Sequence, residues 1–135
     1  MLVIDNSLLS DYLTGRPAAR AFLDDWTDEP WAISSIVEFE ALAGALYGHS
    51  DLPFESIESA ISPMVDVLDV TGATAMEAAR LQSTLVDRGV PAEHPDVLIA
   101  AAASENGATF ATADQFFWQD DVQDVLAVAE YHRDS

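Results

Sequence analysis

The sequence predicts an α/β fold in which helices cover both faces of a mostly parallel sheet. Short apolar runs alternate along the chain with longer segments of helical period, the pattern of strand–helix–strand units. The chain has 135 residues, half of them apolar, which is enough for one core and predicts one domain over 1–135. It contains no cysteine, so neither a disulfide framework nor a thiolate site shapes it.

The elements follow in order. Residues 2–4, LVI, read as a buried strand that stops at Asp5. Ser7 caps a short helix through LLSDYL, which Gly15 ends. Pro17 opens a second helix, AARAFLDDW. After Pro30, residues 31–33, WAI, make a second strand. Ser34 or Ser35 caps the segment IVEFEALAGALY, where Val37, Ala41 and Ala45 share one stripe. Gly48 and His49 end that helix. A shorter helix covers Phe54 to Ile61, and Pro63 closes it. Residues 65–70, VDVLDV, form a third strand. Thr71 or Thr74 starts the long helix AMEAARLQSTLVDRG, with Gly89 as its stop. Pro91 and Pro95 bracket a loop containing His94, and Asp96 opens an alanine-rich helix that Gly107 stops. Residues 108–111, ATFA, form a fourth strand, Thr112 to Asp114 a polar turn, and residues 125–129, VLAVA, an edge strand.

Charge is the odd global feature: 24 acidic residues against five basic ones, all arginine, for a formal net charge of −19. Such a surface repels itself and repels nucleic acid at long range. The acids are spread along the chain, in DDWTDE, ESIES and DVQD, rather than gathered into one docking patch for a basic partner. That spread predicts a solvated surface in the high-salt cytoplasm of a halophilic archaeon, where the screening length falls to roughly 3 Å at 1 M salt. The charge then argues only weakly against a nucleic-acid substrate. No apolar run reaches membrane-spanning length, and the opening lacks a basic segment followed by a long apolar one, so a soluble, cytoplasmic protein is expected.

Acids also fall where chemistry is done. In an open parallel sheet the ligand lies beyond the carboxyl ends of the strands. Asp5 follows the first strand, Asp114 follows the fourth, and Asp96 starts the helix leading into the fourth. Glu40 lies inside the helix after the second strand. Glu38 sits on the opposite side of that helix, so at most one of the two faces the site, and the fold does not choose between them. Each acid has an ordinary role open to it: helix cap for Asp96, turn for Asp5, helix start for Asp114, solvated surface for the glutamates. Gathered in one crevice, carboxylates repel each other unless a cation is present. Hard oxygen donors suit magnesium, with manganese as the alternative, and no histidine- or thiol-rich cluster points to zinc. Magnesium among carboxylates serves phosphoryl chemistry. Ser7 and Thr112 are placed either to orient a carboxylate or simply to cap.

These same stretches resemble the PIN-domain ribonucleases, and among them the VapC-type toxins of toxin–antitoxin pairs. LVIDNSLLSDYLTG is similar to that family's first strand with its metal-binding aspartate, which places that role on Asp5. WAISSIVEFEALAG is similar to the second motif and selects Glu40 over Glu38. HPDVLIAAAASENGATFATADQFF is similar to the third and fourth motifs, with the acids on Asp96 and Asp114 and the supporting hydroxyl on Thr112. The resemblance spans nearly the whole chain, with each motif weak alone and the ordered set specific.

The resemblance implies a PIN-like three-layer α/β/α sandwich. It implies a metal-dependent endoribonuclease that hydrolyses RNA phosphodiesters through a magnesium-activated water, leaving a 5′-phosphate and a 3′-hydroxyl. Asp5 and Asp96 would hold the metal most directly, with Glu40 and Asp114 completing the site. The implied substrate is a structured RNA of the translation machinery, transfer or ribosomal. The implied inhibitor is a small antitoxin laid across the acidic crevice. A homodimer is implied too, for which Tyr12, Leu13, Phe22 and Trp26 offer either an interface or core, as do Phe116, Phe117 and Trp118. The chain departs from the family's pattern at Asn6, where threonine is common, at Ala41, where leucine is usual, and in having no lysine. Arg16 and Arg20, beside the first-motif helix, are the best-placed candidates to bind RNA phosphates. The alternatives are a PIN nuclease of RNA processing, a catalytically inactive PIN module, and a receiver-like domain. The last would need a lysine that this chain lacks.

Overall fold

The apolar run at the amino terminus becomes strand β1 (Leu2–Ile4), with all three side chains buried. In the computed structural model, which describes residues 1–48 and 52–134, β1 is the middle of a five-stranded sheet. The other strands are β2 (Trp31–Ser34), β3 (Asp66–Leu68), β4 (Thr109–Thr112) and β5 (Val128–Glu130), in the order β3-β2-β1-β4-β5. All four pairings are parallel. Helices α1 (Asn6–Leu13), α2 (Pro17–Asp24), α3 (Ser35–Leu46) and α4 (Phe54–Ile61) join the first three strands. Helices α5 (Gly72–Asp87) and α6 (His94–Glu105) lead to β4, and a 3-10 turn (Gln115–Trp118) with the short α7 (Asp120–Gln123) leads to β5. The result is the expected three-layer α/β/α sandwich.

A parallel sheet is covered on both faces, so its central strands are apolar throughout instead of alternating. β1 and most of β4 obey this, while the edge strands β3 and β5 are partly exposed and carry Asp66 and Glu130. Acids on short edge strands discourage pairing with another sheet. The chain steps outward from β1 through β2 to β3, then returns across the sheet to β4 and β5. The direction therefore reverses between β1 and β4, the switch point where α/β sheets open a crevice at their carboxyl ends.

Several boundaries differ from the sequence reading, each for a local reason. Asp5, not Ser7, caps α1, its carboxylate accepting from the Leu8 N–H at 2.9 Å. His94 and Pro95 are helical, because proline is tolerated in a first turn where its missing N–H has no partner, and Asp96 is therefore the third residue of α6. Val65 is outside β3, since its N–H bonds back to the Ile61 carbonyl. Val125 and Leu126 likewise bond to the Val122 carbonyl, which starts β5 only at Val128. Thr71 is the cap of α5, with Thr74 completing a reciprocal capping box. Ser34 caps α3. His49, expected to help end α3, lies outside the described residues.

Tyr12, Leu13, Phe22 and Trp26 pack partly buried against the core, and Phe117 is buried edge-on to Phe110 at 5.1 Å. The most exposed large apolar side chains among the described residues lie instead on α3 and at its end, where Phe39 is 67%, Leu46 68% and Tyr47 74% exposed. Among the described residues, no helix is long and apolar enough to cross a membrane.

Candidate active site

Asp5 stands where β1 becomes α1, and the geometry at this joint fixes its carboxylate. As the cap of α1 it accepts from the Leu8 N–H, and the Ser7 hydroxyl lies 3.0 Å from both of its oxygens. From the neighbouring strand, the Thr112 hydroxyl donates to Asp5 Oδ2. That same hydroxyl accepts the Asp114 N–H at 2.9 Å. Thr112 thus ties the end of β4 to the end of β1 and holds Asp5 and Asp114 on one rim. Asp114 in turn caps the 3-10 turn through the Phe116 N–H. Both hydroxyls raised from the sequence are used to orient Asp5, and neither caps a helix through its side chain.

Asp96 reaches the rim from the first turn of α6, and Glu40 from the middle of α3. Asp5, Glu40, Asp96 and Asp114 all line one cavity of about 250 Å³. Asn6, Ser7 and Thr112 share its polar wall, and Ile99, Phe110 and Phe117 form its apolar wall. Glu38 lines a different cavity, with Leu42 and Glu58, so the helix separates the two glutamates as its period requires.

The acids strain against each other. Burial pushes the Asp5 carboxyl above its ordinary range, partly offset by hydrogen bonds from Thr112, Leu8 and Ser7. Burial also raises Glu40, and the charges of Asp96 and Asp5 raise it further. Asp96 is raised by burial and then by Asp114, Glu93 and Asp5. Glu40 thus lies within the fields of Asp96 and Asp5, and Asp96 within those of Asp114 and Asp5. No arginine or histidine among the described residues lines the cavity. Also among the described residues, no three acids or histidines are grouped closely enough to hold a metal ion as they stand. In chemistry, though, the donor set fits a hard divalent cation: oxygen donors only, mutually repelling, with their orienting hydroxyls already in place.

The PIN domain family model matches residues 2–119 of the chain. This chain belongs to the PIN-domain family. Solved structures share its fold over nearly their whole length. The toxin–antitoxin complex from Klebsiella pneumoniae superposes with a TM-score of 0.77 at 22% identity, covering 98% of both chains. FitAcB from Neisseria gonorrhoeae gives 0.75 at 23% identity, again covering 98% of both. VapBC2 from Rickettsia felis, bound to a DNA fragment from its promoter, gives 0.74 at 20% identity, covering 97% of this chain and 98% of that one. No curated protein was found to match the chain.

The two arginines considered for RNA are engaged elsewhere in this PIN domain. Arg16 lies 3.5 Å from Asp11, and Arg20 stacks over the Tyr12 ring at 5.9 Å. Neither lines the carboxylate cavity. Two features escaped the sequence reading. Asn6 lines both this cavity and a larger groove beside it. Asp11, an acid on α1 that is only 5% exposed, is held by Arg133, Arg16 and Tyr131. Its position next to Asp5, where the resembled family commonly has threonine, is the signal that could have placed Asn6 in the site. Arg16 is only five residues on, but Tyr131 and Arg133 lie more than a hundred residues away, so no local pattern announces them.

Proposed function

We propose that this PIN-domain protein is a magnesium-dependent endoribonuclease, acting as a single domain over 1–135 and as the toxin of a toxin–antitoxin pair. The observation that carries this reading is the convergence of four carboxylates, from four different parts of the chain, on one cavity lined by no basic side chain among the described residues. Such a site is costly to ionise and ill suited to hold an anion unaided, so its natural occupant is a cation.

Asp5 and Asp96 are the residues assigned to hold magnesium or manganese, with Glu40 and Asp114 completing the shell. When bound, a divalent ion supplies an acidified water and neutralises charge on the phosphate being cleaved. Ser7 and Thr112 keep the Asp5 oxygens aimed into the cavity, and Thr112 holds the Asp114 backbone in the same frame. Arg16 and Arg20 are assigned to phosphates of a transfer or ribosomal RNA farther along the strand. The products are a 5′-phosphate and a 3′-hydroxyl.

The antitoxin reading draws support from the groove beside the site. It has a volume of about 360 Å³ and an apolar floor that includes Leu13, Phe39, Ala43 and Ile57. It shares Asn6 and Glu40 with the acidic cavity, so a segment seated there would end at the carboxylates. The protein is read as a cytoplasmic homodimer of a salt-adapted organism, with its acidic surface screened by salt.

The deciding assay is cleavage of structured RNA with magnesium in high salt, comparing wild type with Asp5→Asn and Asp96→Asn. Cleavage by wild type alone supports the mechanism. Equal activity in all three proteins would remove it.

A further inference from the structure

Two walls carry the groups that hold Asp5. One is α1, which supplies the Ser7 hydroxyl and the Leu8 N–H. The other is the end of β4, which supplies the Thr112 hydroxyl. Both are gripped by the same short stretch after β5. The Tyr131 N–H donates to the Thr112 carbonyl at 2.9 Å, while the Tyr131 hydroxyl donates to Asp11 of α1 at 2.8 Å. The Tyr131 ring is buried, at 1% exposure, and lies 5.5 Å from that of Phe22 on α2. Next to it, Arg133 grasps both Asp11 oxygens, Nε at 2.8 Å and Nη2 at 2.9 Å. The Thr112 carbonyl accepts a second bond, from Trp118 Nε1 at 3.0 Å, and the Trp118 ring stacks on His132 at 4.3 Å.

Asp11 and Thr112 therefore share one tether although they lie on different elements. Two of the five arginines in a chain of net charge −19, Arg16 and Arg133, lie against Asp11. A residue tied to both walls sets the distance between them. That distance decides whether Asp5 can accept from Ser7, Leu8 and Thr112 at once.

We infer that Tyr131 and Arg133 form a carboxyl-terminal clamp that positions Asp5, by joining Thr112 to the Asp11 of α1, with Trp118 as the second hold on Thr112. The clamp touches no reacting group, so these are positioning residues. The link to metal rests on the cavity's being the catalytic site. The positioning of Asp5 itself does not.

The test uses the full chain and three variants that each spare the backbone: Tyr131→Phe, Arg133→Met and Trp118→Phe. Arg88→Met, which removes an ion pair to Asp121 and Asp124 on another face, is the control for general destabilisation. Hydrogen exchange on the metal-free protein reads the Leu8 and Asp114 amides, whose acceptors are the Asp5 carboxylate and the Thr112 hydroxyl. In the clamp variants these two amides exchange about ten-fold faster relative to the β1 amides, and in the control they do not. Binding of Mn²⁺, followed by the loss of free-ion resonance signal, weakens about ten-fold in the clamp variants and is unchanged in the control. Exchange at Leu8 and Asp114 that merely tracks global stability overturns the clamp. So does wild-type Mn²⁺ affinity in all three variants. If wild type binds no Mn²⁺, the metal reading falls, and the exchange result alone decides the clamp.

Discussion

Asp5 and Asp11 lie six residues apart, one capping α1 and the other buried on it, and they are treated in opposite ways. Asp5 is surrounded by hydroxyls, an amide and other acids, and burial drives its carboxyl up. Burial acts on Asp11 in the same sense, yet bonds from Arg133 and Tyr131 and the charge of Arg16 hold it below the ordinary range. Burial, and then the bond to Asp11 and its charge, push the Tyr131 hydroxyl up to about 12. The contrast separates two uses of a buried carboxylate. At Asp11 the charge is paired inside the chain and ties parts of the fold together. At Asp5 it is oriented but meets no counter-charge among the described residues, which makes sense if the counter-charge comes from outside.

The sharpest way to break the contrast is to neutralise one acid of each kind. Asp5→Asn or Asp96→Asn should lower RNA cleavage by roughly a hundred-fold or more. The same changes should leave the metal-free melting temperature unchanged or higher, because repulsion is relieved. Asp11→Asn should do the reverse. It should cost about 2 kcal/mol in urea unfolding, discounted for the half-exposed Arg133, and reduce cleavage only as far as the clamp loosens.

pH should divide the two regions as well. The folded pKa of Asp11 lies below its unfolded value. Its contribution is therefore complete above the usual carboxylate range and is lost as pH falls through the lowered value. Asp5, Glu40 and Asp96 have raised folded values, so keeping them ionised costs stability at neutral pH. Melting of the metal-free protein should thus rise as pH falls from neutral toward those raised values, then drop in stronger acid. Asp11→Asn should remove much of the acid drop, and a saturating divalent ion should flatten the first rise. The mildest change, Arg88→Met, should cost no more than about 0.5 kcal/mol, because its ion pairs are exposed.

The sheet and most of its helices were legible in the sequence because apolar runs and helical stripes report burial directly. Asp5 and Asp114 were legible as site candidates because parallel sheets expose their strand ends. The choice of Glu40 over Glu38 was legible only through the family resemblance and not through helical period, since both faces of α3 meet something. Only the fold shows that Glu38 lines a cavity with Glu58 while Glu40 joins the other acids. Ser7 was misread as a cap because aspartate and serine cap equally well, and here Asp5 takes the cap while Ser7 bonds to it. The end of the chain was the least legible. Tyr131 and Arg133 act on residues brought near only by the β4–β5 pairing, and their pattern in the sequence is that of a polar tail.

The central claim is that Asp5, Glu40, Asp96 and Asp114 make one cation site. Anomalous diffraction from crystals soaked in Mn²⁺ tests it most directly. The account predicts strong density inside the cavity, within coordination distance of Asp5 and Asp96, and its loss in Asp5→Asn. Mn²⁺ bound only elsewhere, or equally well in the variant, would contradict it.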